Sequence, residues 1–267
     1  MLLQAGLQIR KSGLAELKAV FWDVDGTLAE TELEGHRPAF NAAFREAGLD
    51  WSWDRTLYTE LLSIAGGRQR MAAYAAQRGE ALEERRLDQL RALKQKHYLK
   101  RSSLGAIELR PGVARLLSEL EQAGVAQWIV TSSGSASVQA LLSGVFAESA
   151  HPFKGIISAD DVPVAKPDPA PYRLALECSG VTSETVLAIE DSEAGLRSAS
   201  AAGIRCLLTP SPWERQLHVL LEQADPPLVA LEHLGDPGAP ARQWSGPPCL
   251  QGVVTLEYLQ SLLAGEC

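Results

Sequence analysis

In Phe21-Trp22-Asp23-Val24-Asp25-Gly26-Thr27-Leu28 an apolar run gives way to two carboxylates and a glycine. The run Ala19–Trp22 is unbroken apolar sequence and reads as a buried strand. It ends on two aspartates one residue apart, followed at once by Gly26 and Thr27, so carboxylates stand at the carboxyl end of a strand with a tight turn behind them. Open α/β sheets place their chemistry at that edge. Taken alone, Asp-x-Asp-Gly is equally an ordinary strand-to-turn junction, and the rest of the chain has to choose.

Beyond Leu28 the pattern turns helical for about eighty residues, with amphipathic stretches at 37–47, 68–77 and 82–100. Arg110-Pro111-Gly112 marks the return, and Pro111 suits the first turn of a helix over 111–122. Strands at 127–130, 155–158, 186–189 and 205–208 then alternate with helices at 136–142, 169–178 and 193–201. The expected fold class is α/β: a Rossmann-like, mainly parallel sheet with Ala19–Trp22 at its centre and an inserted α-helical cap. The expected divisions are an N-terminal extension (1–18), a core (19–29 and 110–224), the cap (30–109) and a Pro/Gly-rich C-terminal tail (225–267). That tail reads as a surface wrap or partly disordered segment, closed by a short helix at 255–263.

With 267 residues, 46% of them hydrophobic and 22% charged, the chain has the make-up of a soluble globular protein with a real core plus an insert. No apolar run reaches bilayer length, and the first eighteen residues mix Gln, Arg, Lys and Glu among leucines, which makes a poor secretory signal. Cys178, Cys206, Cys249 and Cys267 show neither C-x-x-C nor zinc spacing, so free thiols in a cytoplasmic protein are expected. A formal net charge of -8 excludes general affinity for nucleic acid and offers no basic face to a membrane. The charge-dense stretch 83–101 carries Leu87, Leu90 and Leu93 at helical spacing and reads as a solvated helix face. With no long exposed apolar stripe, a monomer is expected.

Three further polar clusters stand at the ends of the expected strands. Thr131-Ser132-Ser133-Gly134 follows the 127–130 strand and offers hydroxyls and backbone N–H groups to an anion, or simply caps the next helix. Lys166-Pro167-Asp168-Pro169 holds a lysine in a proline-stiffened loop, either as a fixed point charge for phosphate or as a surface lysine. Glu190-Asp191-Ser192 closes the 186–189 strand, where adjacent carboxylates repel unless a cation lies between them; Asp191 could equally cap the following helix.

The four clusters, in this order, resemble the motifs of the haloacid dehalogenase-like superfamily, over most of the chain from Ala19 to about Leu208. The helical insert directly after the first motif is similar to the superfamily's type with an α-helical cap. The resemblance implies that Asp23 is a nucleophile forming an aspartyl-phosphate and that Asp25 is the acid/base. It also implies Mg²⁺ held by the Asp23 carboxylate, the Asp25 backbone carbonyl, Glu190 and Asp191, with Thr131, Ser132 and Lys166 on the transferring phosphoryl group. Dehalogenases of the superfamily lack the second aspartate, and its phosphonate hydrolases use a cap lysine where this chain has Gly66-Gly67-Arg68, so neither chemistry is expected.

Within the superfamily, Glu30-Thr31-Glu32, Gly35-His36-Arg37, Trp53-Asp54 with Tyr58, and Gly66-Gly67-Arg68-Gln69-Arg70-Met71 resemble CbbY-type sugar-bisphosphate phosphatases, as does Leu234-Gly235-Asp236-Pro237. The likeness is greatest to their cyanobacterial and plant branch. That family dephosphorylates xylulose 1,5-bisphosphate, a misfire product of Rubisco, to xylulose 5-phosphate. The implied partner is thus a small-molecule sugar bisphosphate. Arg68 and Arg70 would clamp its second phosphate, and Glu32, His36 and Tyr58 would orient the sugar hydroxyls. Trp51 and Trp53 are assigned to cap packing. Departures are Trp22 for a common Phe, Arg68 for a frequent lysine, and Val164-Ala165 where relatives often carry more lysines. A β-phosphoglucomutase-like isomerase shares all four motifs and is the alternative, as is a phosphatase for another small sugar phosphate.

Overall fold

The computed structural model describes residues 16–64, 66–147, 149–214, 221–222 and 226–265. The N-terminal extension expected at 1–18 lies outside them up to residue 15. Strand β1 (Ala19–Trp22) is central, flanked by β2 (Ala126–Val130) and β4 (Val186–Glu190). Outside these lie β3 (Gly155–Ile157) on one side and β5 (Arg205–Leu208), β6 (Val229–Leu231) and β7 (Gln243–Ser245) on the other. Every pairing is parallel except β6 with β7.

Alternation along each strand divides the core into two layers. Val20 and Trp22 of β1, Leu187 and Ile189 of β4 and Leu207 of β5 pack with α5 (Val113–Gln122), α6 (Ser135–Phe146) and α9 (Leu256–Ala264). Ala19, Phe21, Val186, Ala188 and Leu208 face the opposite way, towards α7 (Ala170–Ser179) and α8 (Glu193–Ala201). Helices thus cover both faces, which is what keeps near-continuous apolar strands out of water. The expected α/β class stands.

The cap comprises a π-helical turn (Glu32–His36), α1 (Arg37–Glu46), α2 (Arg55–Leu61), α3 (Gly67–Gln77) and α4 (Glu84–Ser103). Its own core is aromatic. Phe40, Phe44, Trp51, Trp53 and Tyr58 are buried together, with the Phe44 and Trp53 rings edge to face at 4.8 Å. Trp51 and Trp53 therefore do serve cap packing. Leu87 and Leu90 of α4 are buried against this cluster.

The tail departs from expectation. Val229, Ala230 and Leu231 are fully buried and pair with β5, and β7 pairs back on β6, so the sheet runs on past residue 224. Arg115 of α5 fastens the following segment by donating to the carbonyls of Leu234, Gly235 and Val254. The stretch read as a surface wrap completes the core instead. Two three-residue strands amid Pro and Gly are too short to show as alternation in sequence.

Candidate active site

The carboxyl edge of β1, β2 and β4 gathers the charged residues. Asp23 continues β1, its N–H donating to the Ile189 carbonyl at 3.0 Å, and Thr131 continues β2 in the same way onto Ile157. Lys166 reaches in from the loop after β3. Its ammonium donates to Asp23 Oδ1 at 2.7 Å, Glu190 Oε1 at 2.6 Å and the Val130 carbonyl at 2.7 Å, which uses all three of its hydrogens. Tyr172 of α7 adds a hydroxyl donated to Glu190 Oε1 at 2.5 Å. The lysine is buried, so the surface reading of Lys166 is set aside.

Electrostatics follow from that burial. Burial lowers the Lys166 pKa, but Asp23 and Glu190 outweigh it and the net shift is upward: the residue is a permanent ammonium. Burial raises Asp23 well above the usual carboxylate range; Lys166 opposes this, and Glu190, Asp191 and Asp25 reinforce it. Asp191 is pushed up to about 7 by burial and by Glu190, against the hydroxyl that Ser211 donates to it. Lys166, with Arg110 acting on Asp191 as well, opposes these upward shifts without cancelling them.

Oxygens of Asp23, Glu190 and Asp191 lie within 4.8 Å of one another, and Glu190 Oε2 is buried with no hydrogen-bond partner. An orphaned carboxylate oxygen in an all-oxygen cluster fits a hard divalent cation, which takes such ligands in preference to nitrogen or sulfur. Ser192 caps α8 through Gly195 N–H at 3.2 Å, so the cap role lies one residue beyond Asp191.

Asp25 is held separately. Thr31 donates to one of its carboxylate oxygens and Ser133 to the other, and His36 Nε2 stands 3.9 Å from Oδ1. Thr131 is buried and accepts from the Ser133 N–H at 3.1 Å, while Ser132 is exposed in the same loop. On the cap, Tyr58 donates to Glu32, and Arg70 donates to the Tyr58 hydroxyl at 3.0 Å, forming a mostly buried trio. His36 stacks on Tyr98 and receives a hydrogen bond on Nδ1 from Lys94 at 2.9 Å. Burial, then Lys94 and Arg70, hold His36 well below its ordinary pKa.

Arg68 and Arg70 do not form one clamp. Gly67–Gln77 is helical, and residues two apart on a helix point to different faces. Arg68 turns outward to Glu84 and Asp88 of α4, whereas Arg70 turns inward to Tyr58 and the carbonyls of Leu61 and Ile64. Four residues of the site carried no sequence expectation: Thr31, Lys94, Tyr172 and Ser211; Ser133, expected in an anion-binding loop, donates to Asp25. Thr31 and Ser133 lie inside motifs and could have been found as hydroxyls flanking a carboxylate. Lys94 was hidden in a helix read as a solvated face.

The family model for haloacid dehalogenase-like hydrolases matches residues 17–203. The chain belongs to this family. It is 42% identical over 234 residues to the plasmid-borne CbbY protein of Cupriavidus necator, covering 85% of this chain and 89% of that one. It is 36% identical over 228 residues to a CBBY-like protein of Arabidopsis thaliana, covering 82% and 70% respectively. A mutant CbbY from Rhodobacter sphaeroides, solved in complex with xylulose-(1,5)bisphosphate, superposes with a TM-score of 0.68 at 37% identity over 81% of this chain and 94% of that chain. The expected recognition, a family member with CbbY-type relatives, therefore stands, and so does the enzymatic class, a phosphoric monoester hydrolase. No helix among the described residues is long and apolar enough to cross a membrane.

Proposed function

We propose that this chain is a Mg²⁺-dependent phosphatase that converts xylulose 1,5-bisphosphate to xylulose 5-phosphate through an aspartyl-phosphate. The observation that carries the reading is the Lys166 bridge between Asp23 and Glu190, beside an Asp25 fixed by two hydroxyls, in a chain 37% identical to a CbbY solved with that bisphosphate.

Asp23 attacks phosphorus, with Lys166 orienting its carboxylate and neutralising part of the site's charge. Asp25 protonates the departing sugar oxygen and then takes a proton from the water that hydrolyses the aspartyl-phosphate. Hydroxyls donated by Thr31 and Ser133 to its two oxygens hold the Asp25 carboxylate in a fixed orientation. Thr131, Ser132 and Lys166 bind the phosphoryl oxygens. The Asp23 carboxylate, Asp25 carbonyl, Glu190 and Asp191 would hold Mg²⁺, which supplies fixed positive charge where the phosphoryl group reacts.

On the cap, Glu32, His36 and Tyr58 orient the sugar hydroxyls. Arg68 and Arg70, on different faces of α3, offer the second phosphate alternative partners, and Arg70 is the one on the sugar side, beside Glu32 and Tyr58. We place the enzyme in the cytoplasm, a reading supported by the free thiols of Cys178, Cys206 and Cys249, and take it to be a monomer.

The test is phosphate release from xylulose 1,5-bisphosphate, ribulose 1,5-bisphosphate and β-glucose 1-phosphate, in Mg²⁺ and in EDTA. Mg²⁺-dependent preference for the xylulose compound is expected. Conversion of β-glucose 1-phosphate to glucose 6-phosphate without free phosphate would replace this reading with that of an isomerase.

A further inference from the structure

We propose that Arg110 is a positioning residue for the metal carboxylate Asp191, acting through the turn at Gly26 and the loop that carries Ser211; the proposal rests on the phosphatase reading above. Arg110 stands where the chain returns from the cap, its N–H donating to the Leu28 carbonyl at 2.9 Å. Its guanidinium is buried, and Asp191, then Glu30 and Glu232, act on its charge from beyond ion-pair distance. All its acceptors are neutral. One terminal nitrogen donates to the carbonyl of Gly26 and, at 2.6 Å, to that of Thr209; the other donates to Pro210 at 3.1 Å and Glu232 at 2.7 Å.

A buried cation without an ion pair is costly, and the plain structural use of an arginine staple is already served elsewhere by Arg115, which keeps Glu119 as a partner. What distinguishes Arg110 is the place of its acceptors. Gly26 closes the Asp23-Val24-Asp25 turn at a φ of +88°, and a Cβ built on it would lie 2.1 Å from Asp191 Oδ2 and 2.3 Å from Ser211 Oγ. The Gly26 peptide is therefore the floor under the Asp191 carboxylate, and Ser211, which donates to that carboxylate, is the next residue after Pro210. Arg110 grips the floor on one side and the Ser211 loop on the other. Two residues further along, Trp213 packs on the cap's aromatic cluster, so the same loop also touches the cap. A planar fork can hold these carbonyls at fixed spacing; an ammonium, a single point, cannot.

The experiment is a calorimetric titration of Mg²⁺ into metal-free protein without substrate, for the parent, Arg110→Lys, Ser211→Ala and Arg115→Lys, with circular dichroism to confirm folding. Arg110→Lys and Ser211→Ala should each weaken Mg²⁺ binding by about 10-fold or more, as loss of a group that orients a metal ligand does. Arg115→Lys should bind as the parent. At saturating Mg²⁺ the KM for the sugar phosphate should stay near the parent value for Arg110→Lys. Parental Mg²⁺ affinity in Arg110→Lys, or equal weakening in Arg115→Lys, overturns the proposal. If Arg110→Lys fails to fold, parental affinity in Ser211→Ala overturns it. Because binding is read without turnover, a parent that binds Mg²⁺ but releases no phosphate from any sugar phosphate refutes the phosphatase reading and leaves this test intact.

Discussion

Gly195→Ala is the substitution in which two local rules oppose each other most sharply. Gly195 lies in the first turn of α8 with ordinary helical backbone, where alanine is favoured over glycine by about 1 kcal/mol. On propensity alone the variant would be more stable. Its Cβ, however, would stand 1.8 Å from Glu190 Oε2 and 2.1 Å from the carboxyl carbon. Glu190 cannot swing aside freely, because it is fully buried and Oε1 is held by Lys166 and Tyr172. Reaching an ordinary contact of about 3.5 Å requires a displacement well over 1 Å.

Overpacking of this kind costs about 1–3 kcal/mol, so after the helix gain the net stability change is small, a few degrees in Tm at most. The functional loss is larger. A catalytic group misplaced by about 1 Å can cost on the order of 10²-fold, and Glu190 holds Lys166 and, in the proposed reaction, would hold the cation as well. We expect kcat to fall by about two orders of magnitude while the far-ultraviolet spectrum is unchanged, read by phosphate release at saturating Mg²⁺ beside a thermal melt. A variant with raised Tm and kcat within about twofold of the parent would refute the argument that Gly195 is there to make room for Glu190.

Asp23→Asn should abolish turnover with the fold intact; measurable phosphate release would sink the aspartyl-phosphate route. Tyr172→Phe removes the hydroxyl on Glu190 but keeps the ring beneath Lys166, and should lower stability by about 1.5–3 kcal/mol, the worth of a hydrogen bond to a charged group; an unchanged Tm would show the bond to be absent. Burial pushes Glu30 up to about 7, above its unfolded value, so its contribution to stability is complete below pH 4.5 and is lost as pH rises through 7. Glu30→Gln should therefore raise Tm relative to the parent at pH 8 and not at pH 4, and a pH-independent difference in melting would contradict this.

The strands that build the site were legible because each announces itself twice: an apolar run, then a polar cluster where the run stops. Trp22 to Asp23, Val130 to Thr131 and Ile189 to Glu190 are such junctions, and the structure aligns all three at one edge. What stayed hidden depends on contacts remote in sequence. Lys94 meets His36 across the cap, Ser211 meets Asp191 from the next strand's loop, and Arg110 gathers carbonyls from Gly26 to Glu232. No periodicity encodes such pairings. A joint clamp by Arg68 and Arg70 sits poorly with the helical pattern of 68–77: the chain enters α3 at Gly67, and residues two apart on a helix face different ways.

The charges of the site explain why a protein with a net charge of -8 can receive a phosphate dianion at all. Asp23, Glu190 and Asp191 are buried together, with Asp25 beside them, and Lys166 is the ammonium in direct contact. Burial and mutual repulsion raise the pKa of Asp23 and of Asp191, against Lys166 and, at Asp191, Arg110. A divalent cation at the orphaned Glu190 oxygen would oppose this, because it would favour the ionised form of each carboxylate it touched and attract the incoming phosphoryl oxygens. Lys166 alone could not do both. Its three hydrogens hold Asp23, Glu190 and Val130, so in the proposed reaction it would exchange one of these contacts for a phosphoryl oxygen, and a cation would supply the remaining charge.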